Sequence, residues 1–109
     1  MAEWDVLFER SAENGDQVLR VVGEIDLAVA GRFAQELDGL LADGAGNGLV
    51  DLASVGFIDS SGVRELLRAK RAAEKAGREL ILRAPSAPCR HVLEISGVWD
   101  EFDVQDVPE

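Results

Sequence analysis

Gly48-Leu49-Val50-Asp51-Leu52-Ala53-Ser54-Val55-Gly56-Phe57-Ile58-Asp59-Ser60-Ser61-Gly62-Val63 runs from a short apolar stretch, through small polar residues, into a charged segment of helical periodicity. The apolar stretch reads as a strand, the polar residues as a loop, and the rest as the start of a helix. Asp59, Ser60 and Ser61 are all good capping types, and Val63, Leu66 and Leu67 follow at helical spacing. A serine in that position is both exposed and polarised by the positive end of the helix. The pattern predicts a strand over about 48–52 and a helix from about Ser61 to Ala76, with one of the serines as cap and Gly77 closing the last turn.

Upstream, Trp4, Val6 and Phe8 alternate with Asp5, Leu7 and Glu9, which is the period of a strand. Asn14-Gly15 is the signal for a two-residue hairpin turn, because both positions tolerate positive φ. Folding about that turn sets Phe8 opposite Val21, Leu7 opposite Val22, and Glu9 opposite Arg20 as an opposite-charge pair. The second strand, Val18 to about Glu24, is apolar on both faces and should lie inside a sheet. Asp26 is the expected N-cap of a first helix whose stripe is Phe33, Leu37, Leu40 and Leu41. The glycines of Asp43-Gly44-Ala45-Gly46-Asn47-Gly48 follow a helix and precede a strand, the reverse of a dinucleotide-binding loop, so they read as a C-cap and turn.

Downstream, Val63, Leu66, Leu67 and Ala73 form the buried stripe of the second helix, and Arg64, Arg68, Arg71 and Lys75 its outer side. Glu79 to Ala84 reads as a strand. Pro85-Ser86-Ala87-Pro88 opens a short third helix, with Val92 and Ile95 as its apolar side and Gly97 as its C-cap. Glu101 to Val104 reads as a last strand, and 105–109 as a fraying tail. The order β-β-α-β-α-β-α-β describes one small α/β domain over residues 1–109, an N-terminal hairpin followed by alternating helices and strands in a mixed, mainly parallel sheet.

At 109 residues, with 47% hydrophobic residues, the chain suffices for one core and not two. Twenty-one acids against eleven bases give a net charge of −10, which disfavours nucleic acid and anionic lipid as partners. The N-terminus has no basic leader, and no window is long and apolar enough to span a membrane, so the expectation is a cytoplasmic protein without membrane insertion. One cysteine, Cys89, and one histidine, His91, exclude an internal disulfide and multi-ligand Cys or His metal sites. No acidic cluster specifies a magnesium site, and no loop specifies a cofactor. An Asp59/Ser60/His91 hydrolase triad can be written from the inventory, but the Gly-x-Ser-x-Gly nucleophile elbow is absent. His91 is then a surface or half-buried residue of the third helix, and Cys89 a small apolar filler.

The whole set of Gly23-Glu24-Ile25-Asp26, Val50-Asp51-Leu52, Phe57-Ile58-Asp59-Ser60-Ser61-Gly62-Val63 and Ser96-Gly97-Val98 resembles the STAS-domain anti-sigma factor antagonists of bacterial partner switching. The resemblance covers nearly the whole chain. It implies that Ser60, the first serine after the aspartate, is phosphorylated by an anti-sigma factor that is itself a serine kinase. It also implies that the unphosphorylated protein, not itself an enzyme, binds that kinase and frees a sigma factor, and that a phosphatase resets the switch. Asp26 matches the aspartate near the phosphorylated loop, and Ser61 and Gly62 match the helix start at the interface. With Asp59 and Arg64 they make up the expected partner-binding set. Arg64 and Glu65 depart from the small or apolar residues common after the glycine, which implies altered partner specificity. The sequence also ends near its last strand, without the C-terminal helix of many members. The alternative within the same family is an unphosphorylated scaffold subunit of a lipid-transport or stressosome-like complex.

Overall fold

The hairpin sets the first two strands. In the computed structural model, which describes residues 6–42 and 46–106, Asn14 and Gly15 take φ of 52° and 88°. These positive values are what a two-residue turn needs to match strand twist. Strand β1 (Val6–Glu13) folds back on β2 (Asp16–Ile25), with Phe8 opposite Val21, Leu7 opposite Val22 and Glu9 opposite Arg20, as the sequence predicts. Arg20 reaches Glu9 at 2.9 Å. Trp4, residues 43–45 of the glycine loop and 107–109 of the tail lie outside the described residues.

Helix α1 (Leu27–Ala42) leads to β3 (Gly48–Ile58), α2 (Ser60–Lys75) to β4 (Leu80–Arg83), and α3 (Ala87–Ile95) through a 3-10 turn at Trp99–Glu101 to β5 (Asp103–Gln105). The sheet order is β1-β2-β3-β4-β5, antiparallel between the first two strands and parallel across the rest. Glu9, Arg20, Asp51, Arg83 and Gln105 stand opposite one another across all five strands, a polar row. The core joins Leu19, Val21, Val50, Leu52 and Leu82 of the sheet to Phe33, Leu37 and Leu40 of α1 and Val63, Leu66 and Ala73 of α2. With Ala69, also buried, these helix residues recur at three- and four-residue steps, so one stripe of each helix is buried.

Three expectations are corrected. The third strand reaches Ile58, six residues beyond Leu52, because it carries two irregularities. Residues 17–25 of β2 are matched by 48–58 of β3, nine against eleven, with register shifts between Arg20 and Val22 and between Gly23 and Glu24. Extra residues on one strand break the period-two pattern by which a strand is recognised. In α3 the buried residues are Cys89 and Leu93, whereas Ile95 is 69% exposed and Val92 only half-buried. Gln105 is paired with Arg83 in β5, not part of a frayed tail.

Candidate functional site

Strands β2 and β3 end side by side, with Ile25 opposite Ile58, and each passes directly through an aspartate into a helix. The Asp59 N–H donates to the Ile25 carbonyl at 3.1 Å, so the two strand ends are locked together. Two helix N-termini therefore open at the same edge of the sheet. In parallel sheets this carboxyl edge is where functional loops collect.

Asp26 begins α1: its Oδ1 accepts from the Val29 N–H at 3.2 Å, and its carbonyl accepts from Val29 and Ala30. Asp59 begins α2, with extended backbone (φ −111°, ψ −174°) and Oδ1 accepting from Ser61 N at 2.9 Å and Gly62 N at 3.4 Å. The Ser61 hydroxyl donates to the same oxygen. The cap is therefore the aspartate and not either serine, since a carboxylate accepts several N–H bonds at once. These bonds, with the Ser61 hydroxyl as the largest cause, then the backbone N–H groups of Ser61, Gly62 and Leu27, hold the Asp59 carboxyl below its ordinary value against some desolvation.

Ser60 is the first residue of α2, exposed, and its hydroxyl has no partner among the described residues. Ser61 is half-buried and committed to Asp59. Gly62 is buried: a Cβ there would lie 2.7 Å from Ile58 Cγ1 and 2.8 Å from Ile25 Cγ2. It lets the first turn of α2 press onto the paired strand ends. Arg64 is exposed one turn beyond Ser60, with no ion pair to the described residues. The structure thus brings Asp26, Asp59, Ser60, Ser61 and Gly62 into one corner, with Arg64 on its rim. Of the basic stripe, Arg68 is neutralised by Glu65 at 2.7 Å and by Asp38 of α1 at 3.1 Å.

The sequence reading omitted two residues, Leu27 and Phe57, which are 76% and 44% exposed beside the corner. Leu27 lies roughly 120° around the helix from Phe33, off the buried stripe, which is the signal that could have found it. Phe57 follows the second irregularity of β3, where the outward turn is invisible in the sequence. Asp59 bonds to Ser61 and to helix N–H groups, and no hydrogen bond among the described residues joins it to the exposed His91, so the written triad is not assembled. No described group of three or more His, Cys, Asp or Glu side chains is gathered for a metal. No described helix is long and apolar enough to cross a membrane.

Residues 8–104 match the family model described as "Mlab, STAS domain". No curated protein matches the sequence. Among solved structures, the chain is similar to an anti-sigma factor antagonist from Mycobacterium paratuberculosis, with 24% identity over 92% of this chain and 85% of that one and a TM-score of 0.76. It is similar to the anti-sigma factor antagonist SpoIIAA in its unphosphorylated form (26% identity, 94% and 90% covered, TM-score 0.76). The phosphorylated form of SpoIIAA, a Bacillus cell fate determinant, gives 24% identity, 94% and 93% covered, and a TM-score of 0.70. The murine anion transporter Slc26a9 has the same fold over 90% of this chain but only 17% of its own (19% identity, TM-score 0.75). With the family model spanning nearly its whole length, the chain belongs to the STAS-domain family.

Proposed function

We propose that the protein is an anti-sigma factor antagonist, bound in its unphosphorylated form by an anti-sigma factor kinase and switched off by phosphorylation of Ser60. The observation that carries this reading is the state of Ser60, an exposed hydroxyl with no described partner at the first position of a rigidly capped helix. The likeness to SpoIIAA in both its unphosphorylated and phosphorylated forms supports it. The kinase transfers the γ-phosphoryl group of ATP to Ser60 Oγ, releasing ADP and the hydroxyl proton. A phosphatase returns the serine by hydrolysis.

The charge arithmetic suits an interface switch. A phosphoserine adds about −1.5 to −2 charges at neutral pH. It does so beside the ionised Asp59, in a chain already at −10. Exposed Leu27 and Phe57 supply apolar contact area for a partner. A dianion on that surface keeps its water, so docking must desolvate it or fail, with no change of fold. Asp26, Asp59, Ser61 and Arg64 form the polar part of that surface, and Gly62 sets its backbone.

The test is capture and labelling. The Ser60→Ala protein should retain the kinase from lysate of the source organism, and that kinase with ATP should label the wild-type chain and not Ser60→Ala. Ser60→Asp should bind it at least tenfold more weakly. Equal affinity of the two variants refutes the charge switch, and undiminished labelling of Ser60→Ala refutes the site.

A second reading, the scaffold subunit of a transport complex, is favoured by the family description "Mlab, STAS domain" and by the transporter neighbour. It needs no phosphate on Ser60. Recovery of transporter subunits by wild type and Ser60→Asp alike is its expected outcome.

A further inference from the structure

A phosphate on Ser60 finds its surroundings unusually short of donors. The N–H groups of Ser61 and Gly62 are bonded to the Asp59 carboxylate, and that of Val63 to the Asp59 carbonyl at 3.1 Å. At the neighbouring helix start, the N–H groups of Val29 and Ala30 are bonded to Asp26. A helix N-terminus ordinarily attracts phosphate through free N–H groups and the macrodipole. Here two aspartates already occupy most of those donors, and their charge opposes a dianion. The helix end is therefore poorly supplied to hold a phosphate in this corner.

The compensating charge must come from a side chain. Arg64 stands four residues after Ser60 on α2, so the two lie one above the other on the same exposed face, with Cβ atoms about 6 Å apart. The next base along, Arg68, is held by Glu65 and Asp38. On α1, Arg32 lies over the Phe8 ring at 5.6 Å. Glu65, the one acid in the first turns of α2 beyond Asp59, is turned to Arg68. A guanidinium presents two parallel N–H donors that match two phosphate oxygens, and it is always charged.

We infer that Arg64 is the counter-ion of a phosphate on Ser60, folding one turn back along α2 to clamp it. The inference rests on Ser60 being the modified residue. Phosphorylation then changes the docking surface twice, adding a dianion at Ser60 and withdrawing the cation that Arg64 offers to a partner. It also ties reset to Arg64, because a phosphatase must reach a phosphate held by its own helix.

The test places phosphoserine at position 60 by genetic encoding and follows its second ionisation by phosphorus NMR. A cation bonded to the dianion lowers that pKa, so Arg64→Ala should raise it by about 0.3 unit or more at low salt. Arg64→Lys should recover part of the difference, and Arg71→Ala, further along the same stripe, should leave it unchanged. The Arg64 Nε–H resonance should also move when the phosphate is present. An identical pKa with and without Arg64, or an equal rise in Arg71→Ala, overturns the clamp. Because the phosphate is installed during translation, these outcomes do not depend on any kinase, whereas undiminished labelling of Ser60→Ala would discredit the site and leave the clamp measurement standing.

Discussion

Ser60 and Ser86 both stand at helix starts, yet they are placed in opposite ways. Ser86 is the N-cap of α3: its hydroxyl accepts from the Cys89 N–H at 3.3 Å and donates to the Val55 carbonyl, and its own N–H donates to the Leu52 carbonyl. It is half-buried and stitches α3 to β3. Ser60 sits one position further in, as the first helical residue, because an aspartate has taken the capping role before it. Its hydroxyl is thereby left in solvent. A serine becomes available for modification when another residue does its structural work, and substitutions at the two helix starts can break that contrast.

The largest effect is expected at Gly62, which belongs to the α2 start alone. A side chain there must displace the Ile25 and Ile58 carbons that already lie within 3 Å of a Cβ position. Gly62→Val should cost about 3 kcal/mol, the upper end of core overpacking, read as a lowered urea midpoint. If the midpoint is unchanged, the first turn of α2 is not pressed onto the strand ends.

Asp59 comes next. Removing its side chain leaves the Ser61 and Gly62 N–H groups and the Ser61 hydroxyl without their acceptor, so Asp59→Ala should cost about 2 kcal/mol, near the top of the range for caps. Asp59→Asn keeps a capping oxygen and removes the charge, which isolates the pH dependence. The folded-state pKa of Asp59 is depressed, so the charged carboxylate contributes stability above its unfolded value near 3.8 and loses it as pH falls through the folded value. The advantage of wild type over Asp59→Asn should therefore be constant from pH 7 to about pH 5 and shrink below about pH 4. An advantage that grows on acidification would reverse the assignment.

Ser86→Ala should cost about 1 kcal/mol, the usual loss for a neutral cap, and should weaken hydrogen-exchange protection at the start of α3 without touching α2. The same protection change at the α2 start would mean that the two helix ends are not independent.

How much of this was legible in the sequence depends on whether a residue's role is set by its neighbours in the chain or across the fold. Asn14-Gly15 fixes a turn with two residues, and the pairing of Glu9 with Arg20 follows by counting from it. The stripes of α1 and α2 are periodic enough to give Phe33, Leu37, Leu40, Val63, Leu66 and Ala73 as buried, whereas Leu41 and Leu67 at their margins are only half-buried and Val29, Ala30 and Ala69 were not read from them. The reach of β3 to Ile58 was not legible, because its two extra residues make sense only beside β2. In α3, Cys89 and Leu93 are buried and Ile95 is exposed, an outcome set by where β3 lies and not by hydrophobicity. At the site, Asp59, Ser60 and Ser61 were legible as a helix start, and their division of labour was not. All three are capping types, and only the geometry shows that the aspartate caps, one serine supports it and the other stands free.

That division gives the smallest predicted effect on stability and the sharpest contrast. Ser60→Ala deletes an exposed hydroxyl with no described partner, so its unfolding free energy should lie within about 0.5 kcal/mol of wild type, the usual range for such surface changes. Ser86→Ala, the same chemical deletion at a helix start, is expected to be measurably less stable under identical urea titration. If Ser60→Ala proves as costly as Ser86→Ala, the Ser60 hydroxyl is structural and its freedom for phosphorylation is lost as an argument. If it is neutral, any loss of kinase binding or labelling in Ser60 variants reports on the surface itself, because the fold beneath it has not changed.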